Sequence, residues 1–130
     1  MLTMILGHNP DAPDKAKGRY LGYWASCEDL EACHYARRGE VLPWPGDFVD
    51  ASWDIEERTM VADYLEEGRN VTFWMGASYC RLGCDQFLGT ADRGDGEYTW
   101  PEGFSHYIRE HGVKPPQEFI DHIRLSFRYD

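Results

Sequence analysis

Cysteines carry most of the chemistry that the types and spacing of residues in this 130-residue chain could support. Cys80 and Cys84 have three residues between them, and Cys27 and Cys33 five, with His34 directly after Cys33. Zinc takes four nitrogen or sulfur ligands at the corners of a tetrahedron, and its common motifs place paired cysteines two to four residues apart. Cys80 with Cys84 meets that spacing loosely, while Cys27, Cys33 and His34 would join only if their segment folds back onto the first pair. Small, partly buried thiols with no ligand are the competing account. A redox pair needs a low-pKa thiolate near the surface, and Arg81 beside Cys80 is the one local hint of that.

Glu102 and His106 form the second candidate. Four residues apart on a helix, they share a face. A carboxylate beside an imidazole raises its pKa and orients it as a base, or the two chelate a metal together. His111 follows five residues later, roughly 140° around the helix, and so stands apart from that pair. The structural alternative gives Glu102 a place at the positive helix N-terminus and His106 a backbone hydrogen bond.

Other motifs fall away on inspection. Counted from Asp92, an EF-hand loop would need ligands where Gly94 and Gly96 stand and a glutamate where Gly103 stands. Asp92–Glu97 therefore reads as a charged hairpin turn. Ser78 lacks the second glycine of a nucleophile elbow. No phosphate-binding loop, dinucleotide fingerprint or His-Glu-x-x-His string occurs.

The chain carries 23 acidic and 13 basic residues, a formal net charge of −10. That balance repels phosphate backbones and anionic membranes, which disfavours nucleic acid and membrane surfaces as partners. It favours a basic protein partner instead, with Asp63, Glu66, Glu67, Asp92, Asp95 and Glu97 as candidate contacts. No stretch approaches the roughly 20 apolar residues of a membrane helix, and the N-terminal apolar run is short and lacks a basic flank. The expected location is the cytoplasm, where cysteines stay reduced or bind metal.

The elements that must position these groups follow from the pattern. A short strand at 2–6, a loop at 7–18 and an aromatic strand at 20–24 precede a helix over about 27–38. Two prolines around Trp44 break the chain. Ser52 or Asp54 caps the strongest helix, in which Met60, Val61, Tyr64 and Leu65 recur at helical spacing before Gly68. Strands are expected at 69–75, 79–82, 86–90 and 97–100, with a turn at Gly76–Ser78 and a hairpin at Arg93–Gly96. Helices from Pro101 to Gly112 and from Pro115 onward complete the chain. The five tryptophans exceed what a small core absorbs, so at least one is available for a pocket or an interface. The result is an α+β domain, a small antiparallel meander of three to four strands flanked by three to four helices.

From Asp47 onward the chain resembles a family of small bacterial proteins with no established activity. The likeness rests on Gly76-x-Ser78-x-Cys80-Arg81, on Asp95-Gly96, Tyr98 and Trp100-Pro-Glu-Gly103, and on His106-Tyr107 with His111-x-Val113. Relatives tend to show Cys-Arg-x-Cys-Gly, whereas here the second cysteine comes one residue later. The resemblance implies a shared fold over residues 46–128, with 1–45 matching poorly within one domain of 1–130. Three readings follow: an acidic binding protein of immunity or accessory type with no cofactor, an enzyme built on Glu102/His106 and Cys80/Cys84, or a zinc-stabilised module.

Overall fold

The computed structural model describes residues 4–8, 19–24, 43–84 and 86–128. The expected helix over 27–38, with Cys27, Cys33 and His34, lies outside the described residues. So do residues 9–18 of the loop expected at 7–18, whose first two residues, Gly7 and His8, belong instead to a strand, Leu6–His8.

The chain folds as an α+β domain. Strands β1 (Leu6–His8), β2 (Arg19–Tyr20), β3 (Arg69–Tyr79), β4 (Phe87–Gly94) and β5 (Tyr98–Pro101) form one sheet in the order β1-β2-β5-β4-β3. Helices α1 (Ile55–Glu66), α2 (Phe104–His111) and α3 (Gln117–Arg128) complete the fold. The sheet is mixed rather than purely antiparallel, because β2 pairs with β5 in parallel while the other pairings are antiparallel. A local hairpin could not supply that contact. It forms because the N-terminal segment returns to the open edge of β5, with Arg19 and Leu21 donating to Glu97 and Thr99 carbonyls at 3.0 Å.

Asp54 caps α1 as its side chain accepts from the Glu57 N–H at 3.0 Å, which satisfies one orphan amide of the first turn. The turn expected at Gly76–Ser78 is absent. Strand β3 runs unbroken through it for 11 residues, and irregular register between Phe73 and Ser78 absorbs the glycine. The β4–β5 hairpin does form where expected. Asp95 organises it by accepting from the N–H groups of Glu97 and Tyr98, at 2.9 and 2.8 Å.

Helix α2 begins at Phe104 rather than Pro101, since Tyr98–Pro101 completes β5. It ends at Gly112, whose φ of 68° is the left-handed conformation that closes many helices. Arg58 fixes that end to α1, donating from Nε to the Ile108 carbonyl at 2.7 Å and from Nη2 to the Arg109 carbonyl. The core gathers Trp24, Trp53, Leu65, Trp100, Phe104, Tyr107, Ile108, Phe119, Ile120 and Ile123, all buried. Trp100 donates its indole N–H to the Leu65 carbonyl at 3.2 Å, which locks β5 to α1. Three of the five tryptophans are thus core residues, and Trp44 is half-buried. No helix among the described residues is long and apolar enough to cross a membrane.

Candidate metal centre

Strand β3 delivers Cys80 at its end, and a short turn over Arg81–Cys84 carries Cys84 back toward β4. The same turn lies against α2, because the Arg81 N–H donates to the phenolic oxygen of Tyr107 at 2.8 Å. Tyr107 is held in the core by ring contacts with Trp24, and burial pushes its phenol up to about 12, so it stays neutral. That hydrogen bond fixes where the two thiols sit relative to the helix.

The outcome is a cluster of Cys80, Cys84, His106 and His111 whose ligand atoms all lie within 4.8 Å of one another. Cys80 Sγ lies 3.3 Å from Nε2 of His111, and Cys84 Sγ lies 3.2 Å from Nε2 of His106. The two imidazoles approach edge to face, with centroids 5.1 Å apart. Two sulfurs and two ring nitrogens at these distances can hold a metal ion. Among the described residues, this is the one such grouping of three or more histidine, cysteine or acidic side chains.

Its electrostatics suit a cation. Burial, reinforced by the neighbouring His111, holds the His106 imidazole below the usual histidine range, which favours the neutral ring that ligates metals. Burial also pushes the Cys80 thiol up. Without a cation these shifts favour the neutral ring at His106 and the protonated thiol at Cys80. A bound metal reverses that logic and draws off the thiol protons.

Sequence spacing singled out Cys80 and Cys84 but set His111 aside, and the structure corrects the latter. The 140° between His106 and His111 matters only if both must reach a point beyond one face of the helix. The cysteine turn instead lies along α2, with Cys84 beside His106 and Cys80 beside His111 at opposite ends of the helix. The signal was present in the sequence: two histidines within one short helix, ended by glycine, after a pair of cysteines.

Glu102 lies elsewhere. Its Oε1 accepts from the Thr90 N–H at 2.9 Å and its Oε2 pairs with Arg93 at 3.3 Å. Its side chain fills the space that a Cβ on Gly89 would need, 1.9 Å from the carboxylate oxygen, and Gly89 holds a φ of 121°. Glu102 thus braces β4 against the start of α2 and makes no bond to His106. A cleft of about 260 Å³ does adjoin His106, lined also by Glu66, Phe87, Glu102, Arg109 and Glu110.

Most of the acidic candidates for partner binding have internal partners. Asp63 and Glu66 both pair with Arg109, the latter at 2.7 Å. Asp92 is buried and accepts from the Tyr23 hydroxyl at 2.7 Å. Asp95 accepts from Tyr64 at 2.5 Å and contacts His122 at 2.6 Å, and Glu97 reaches the other nitrogen of His122 at 3.2 Å. Glu67 is exposed at the end of α1.

That second histidine site was missed from sequence, and it behaves in the opposite way to the first. Asp95 raises the His122 pKa by hydrogen bonding, against the opposing effect of burial. Burial works against ionisation of Asp95, but His122, Tyr64 and the Tyr98 and Glu97 amides outweigh it and hold the carboxyl below its usual range. Comparison of the chain with family models, with curated proteins and with solved structures found no match.

Proposed function

We propose that this chain is a zinc-binding α+β protein whose metal is structural, fastening the β3–β4 connection to α2. The observation that carries the reading is the convergence of two thiols and two imidazoles within 4.8 Å, from a turn and a helix more than twenty residues apart. Zinc–sulfur bonds of about 2.3 Å and zinc–nitrogen bonds of about 2.0–2.1 Å place ligand atoms about 3.4–3.8 Å apart on tetrahedral edges. The sulfur–nitrogen contacts of 3.2 and 3.3 Å are close to that already. The widest separation must contract by about 1 Å to meet it. Mixed thiolate and imidazole ligands in a tetrahedron favour zinc over magnesium or calcium, which prefer oxygen.

Four protein ligands complete the coordination shell, the mark of a structural rather than a catalytic centre. An acid/base enzyme draws less support, because both oxygens of Glu102 are engaged away from His106. Titration with cobalt(II), a tetrahedral stand-in for zinc, tests the proposal. One equivalent should give the visible absorption of a tetrahedral site with sulfur ligands, and zinc should bleach it. Octahedral cobalt spectra, or none, would overturn the assignment.

A second reading, binding of a basic partner, has one specific observation in its favour. Tyr79 and Phe87 flank the cysteine turn, in edge contact at 5.8 Å, and are 50% and 55% exposed. Phe87 also lines the cleft with Glu66, Glu102 and Glu110. An arginine or lysine side chain suits such a surface, its stem on the rings and its charge toward Glu110, since Glu66 and Glu102 already pair with Arg109 and Arg93. Binding of a basic peptide that weakens with salt and fails in Phe87→Ala would support it, and salt-indifferent binding would count against it.

A further inference from the structure

We propose that Cys80 and Cys84 are an oxidation site for peroxides, at which formation of a disulfide between them releases the bound metal. This rests on the metal reading above for the release, whereas the disulfide itself requires only the positions of the two cysteines. Cys84 is exposed and Cys80 is 6% exposed, so a small oxidant meets Cys84 first and Cys80 is kept as its internal partner. The two sulfurs lie within the same 4.8 Å cluster. They must close to about 2.05 Å to bond.

The turn between them allows that movement. Arg81–Cys84 is a turn outside β3 and β4, and a Cβ built on Gly83 would meet nothing within 4 Å, so the segment has open space beside it. The restraints to be overcome are the Arg81 N–H to Tyr107 hydrogen bond, the Cys80 N–H to Gln86 carbonyl bond at 3.0 Å, a 3.4 Å contact from the Leu82 N–H to the Cys80 sulfur, and the contacts of the two sulfurs with His111 and His106. Cys80 and Cys84 supply both sulfur ligands of the cluster, so one disulfide removes half of its donors. His106 and His111 alone hold a metal far more weakly, since two imidazoles leave half the tetrahedral shell unfilled.

The reaction balances with a peroxide as the oxidant. The Cys84 thiolate attacks one peroxide oxygen, the S–O bond forms as the O–O bond breaks, and the departing oxygen leaves as water after taking a proton. The resulting sulfenic acid is then attacked at sulfur by the Cys80 thiolate. The S–S bond forms, and hydroxide departs and is protonated to a second water. Two thiolates lose two electrons, one hydrogen peroxide gains them with two protons, and the divalent cation is freed. A dithiol reductant reverses the oxidation by thiol–disulfide exchange and restores the metal-binding site.

The experiment treats the zinc-loaded full chain with stoichiometric hydrogen peroxide. It follows released zinc with a colorimetric chelator and maps the thiols by mass spectrometry of proteolytic peptides. The expected result is release of about one zinc per chain with an 80–84 cross-linked peptide about 2 Da lighter than its reduced form, both reversed by dithiothreitol. A Cys27→Ser/Cys33→Ser variant should behave identically. Where that variant folds poorly, peptide mapping of the natural sequence gives the same answer. Retention of zinc with intact thiols, or oxidation of Cys84 to sulfinic acid without a disulfide, overturns the proposal while leaving the metal reading in place. A chain that never loads zinc overturns the metal reading, and mapping of its peroxide-treated peptides still decides whether Cys80 and Cys84 pair.

Discussion

Two histidine-containing junctions hold the C-terminal half of this molecule together, and they are built on opposite principles. At one, Asp95 and Glu97 of the β4–β5 hairpin bracket His122 of α3, and Tyr64 of α1 donates to the same Asp95 oxygen. Hydrogen bonding to Asp95 raises the His122 pKa, which favours the imidazolium at this junction. At the other, Cys80, Cys84, His106 and His111 gather with neutral imidazole favoured and the buried thiol protonated. That cluster offers sulfur and nitrogen donors and includes no carboxylate. The difference teaches how similar side chains diverge with their neighbours: carboxylates raise the pKa of His122, whereas burial lowers that of His106 and favours the neutral ring.

Removal of metal should give the largest separation between the two. A zinc held at a thousandfold above its dissociation constant stabilises the fold by about 4 kcal/mol, and stripping it should cost that much while leaving the Asp95–His122 junction intact. Replacement of Asp95 comes next. Asp95→Ala leaves the His122 cation, the Tyr64 hydroxyl and two backbone N–H groups without their acceptor, an expected loss of about 3 kcal/mol in denaturant unfolding. Zinc stoichiometry should not change, and a loss of metal in this variant would show that the junctions are coupled.

The pH responses should run in opposite directions. His122 has a raised pKa in the folded chain, so its stabilisation is whole below the ordinary histidine value of about 6.5. It is lost as pH rises through the raised value. The groups that face it are Asp95, Glu97 and the rings of Tyr64, Tyr98 and Phe119. Asp95 has a lowered pKa, so its share is present above about 3.9 and is lost as pH falls through the lowered value. Metal affinity instead falls toward acid, as thiols and imidazoles take up protons. The stability difference between the natural chain and His122→Gln should thus shrink from pH 6 to pH 9, read by urea unfolding. A difference that grows with pH would contradict the carboxylate-held cation.

The smallest effect is expected at Tyr64. Tyr64→Phe removes one hydrogen bond to an Asp95 that keeps its other partners, a loss of about 1 kcal/mol. A loss as large as that of Asp95→Ala would place the tyrosine, not the histidine, at the centre of that junction.

Helix α1 was legible because its cap, acidic first turn and apolar spacing agree, and all of that information is local. The hairpin at Asp95–Glu97 was legible for the same reason. The β2–β5 pairing was not, since two short segments far apart in sequence meet in parallel with no turn to announce them. Of the thiol–imidazole cluster, Cys80 and Cys84 could be read from spacing and His106 from its helix. His111 could not be joined to them, because helical angle describes where side chains leave the axis and not which turn packs beside them. Glu102 shows the reverse error. Spacing put it on the His106 face, and the close approach of Gly89 drew it to β4 instead.

Thermal unfolding with and without a metal chelator, for the natural chain and for His111→Ala, tests the central claim most directly. The metal account predicts that zinc raises the melting temperature of the natural chain and that chelator lowers it again. In His111→Ala the gap between zinc-loaded and chelated melts should largely close. An identical melt in the presence and absence of chelator, with zinc shown to be in excess beforehand, would contradict it.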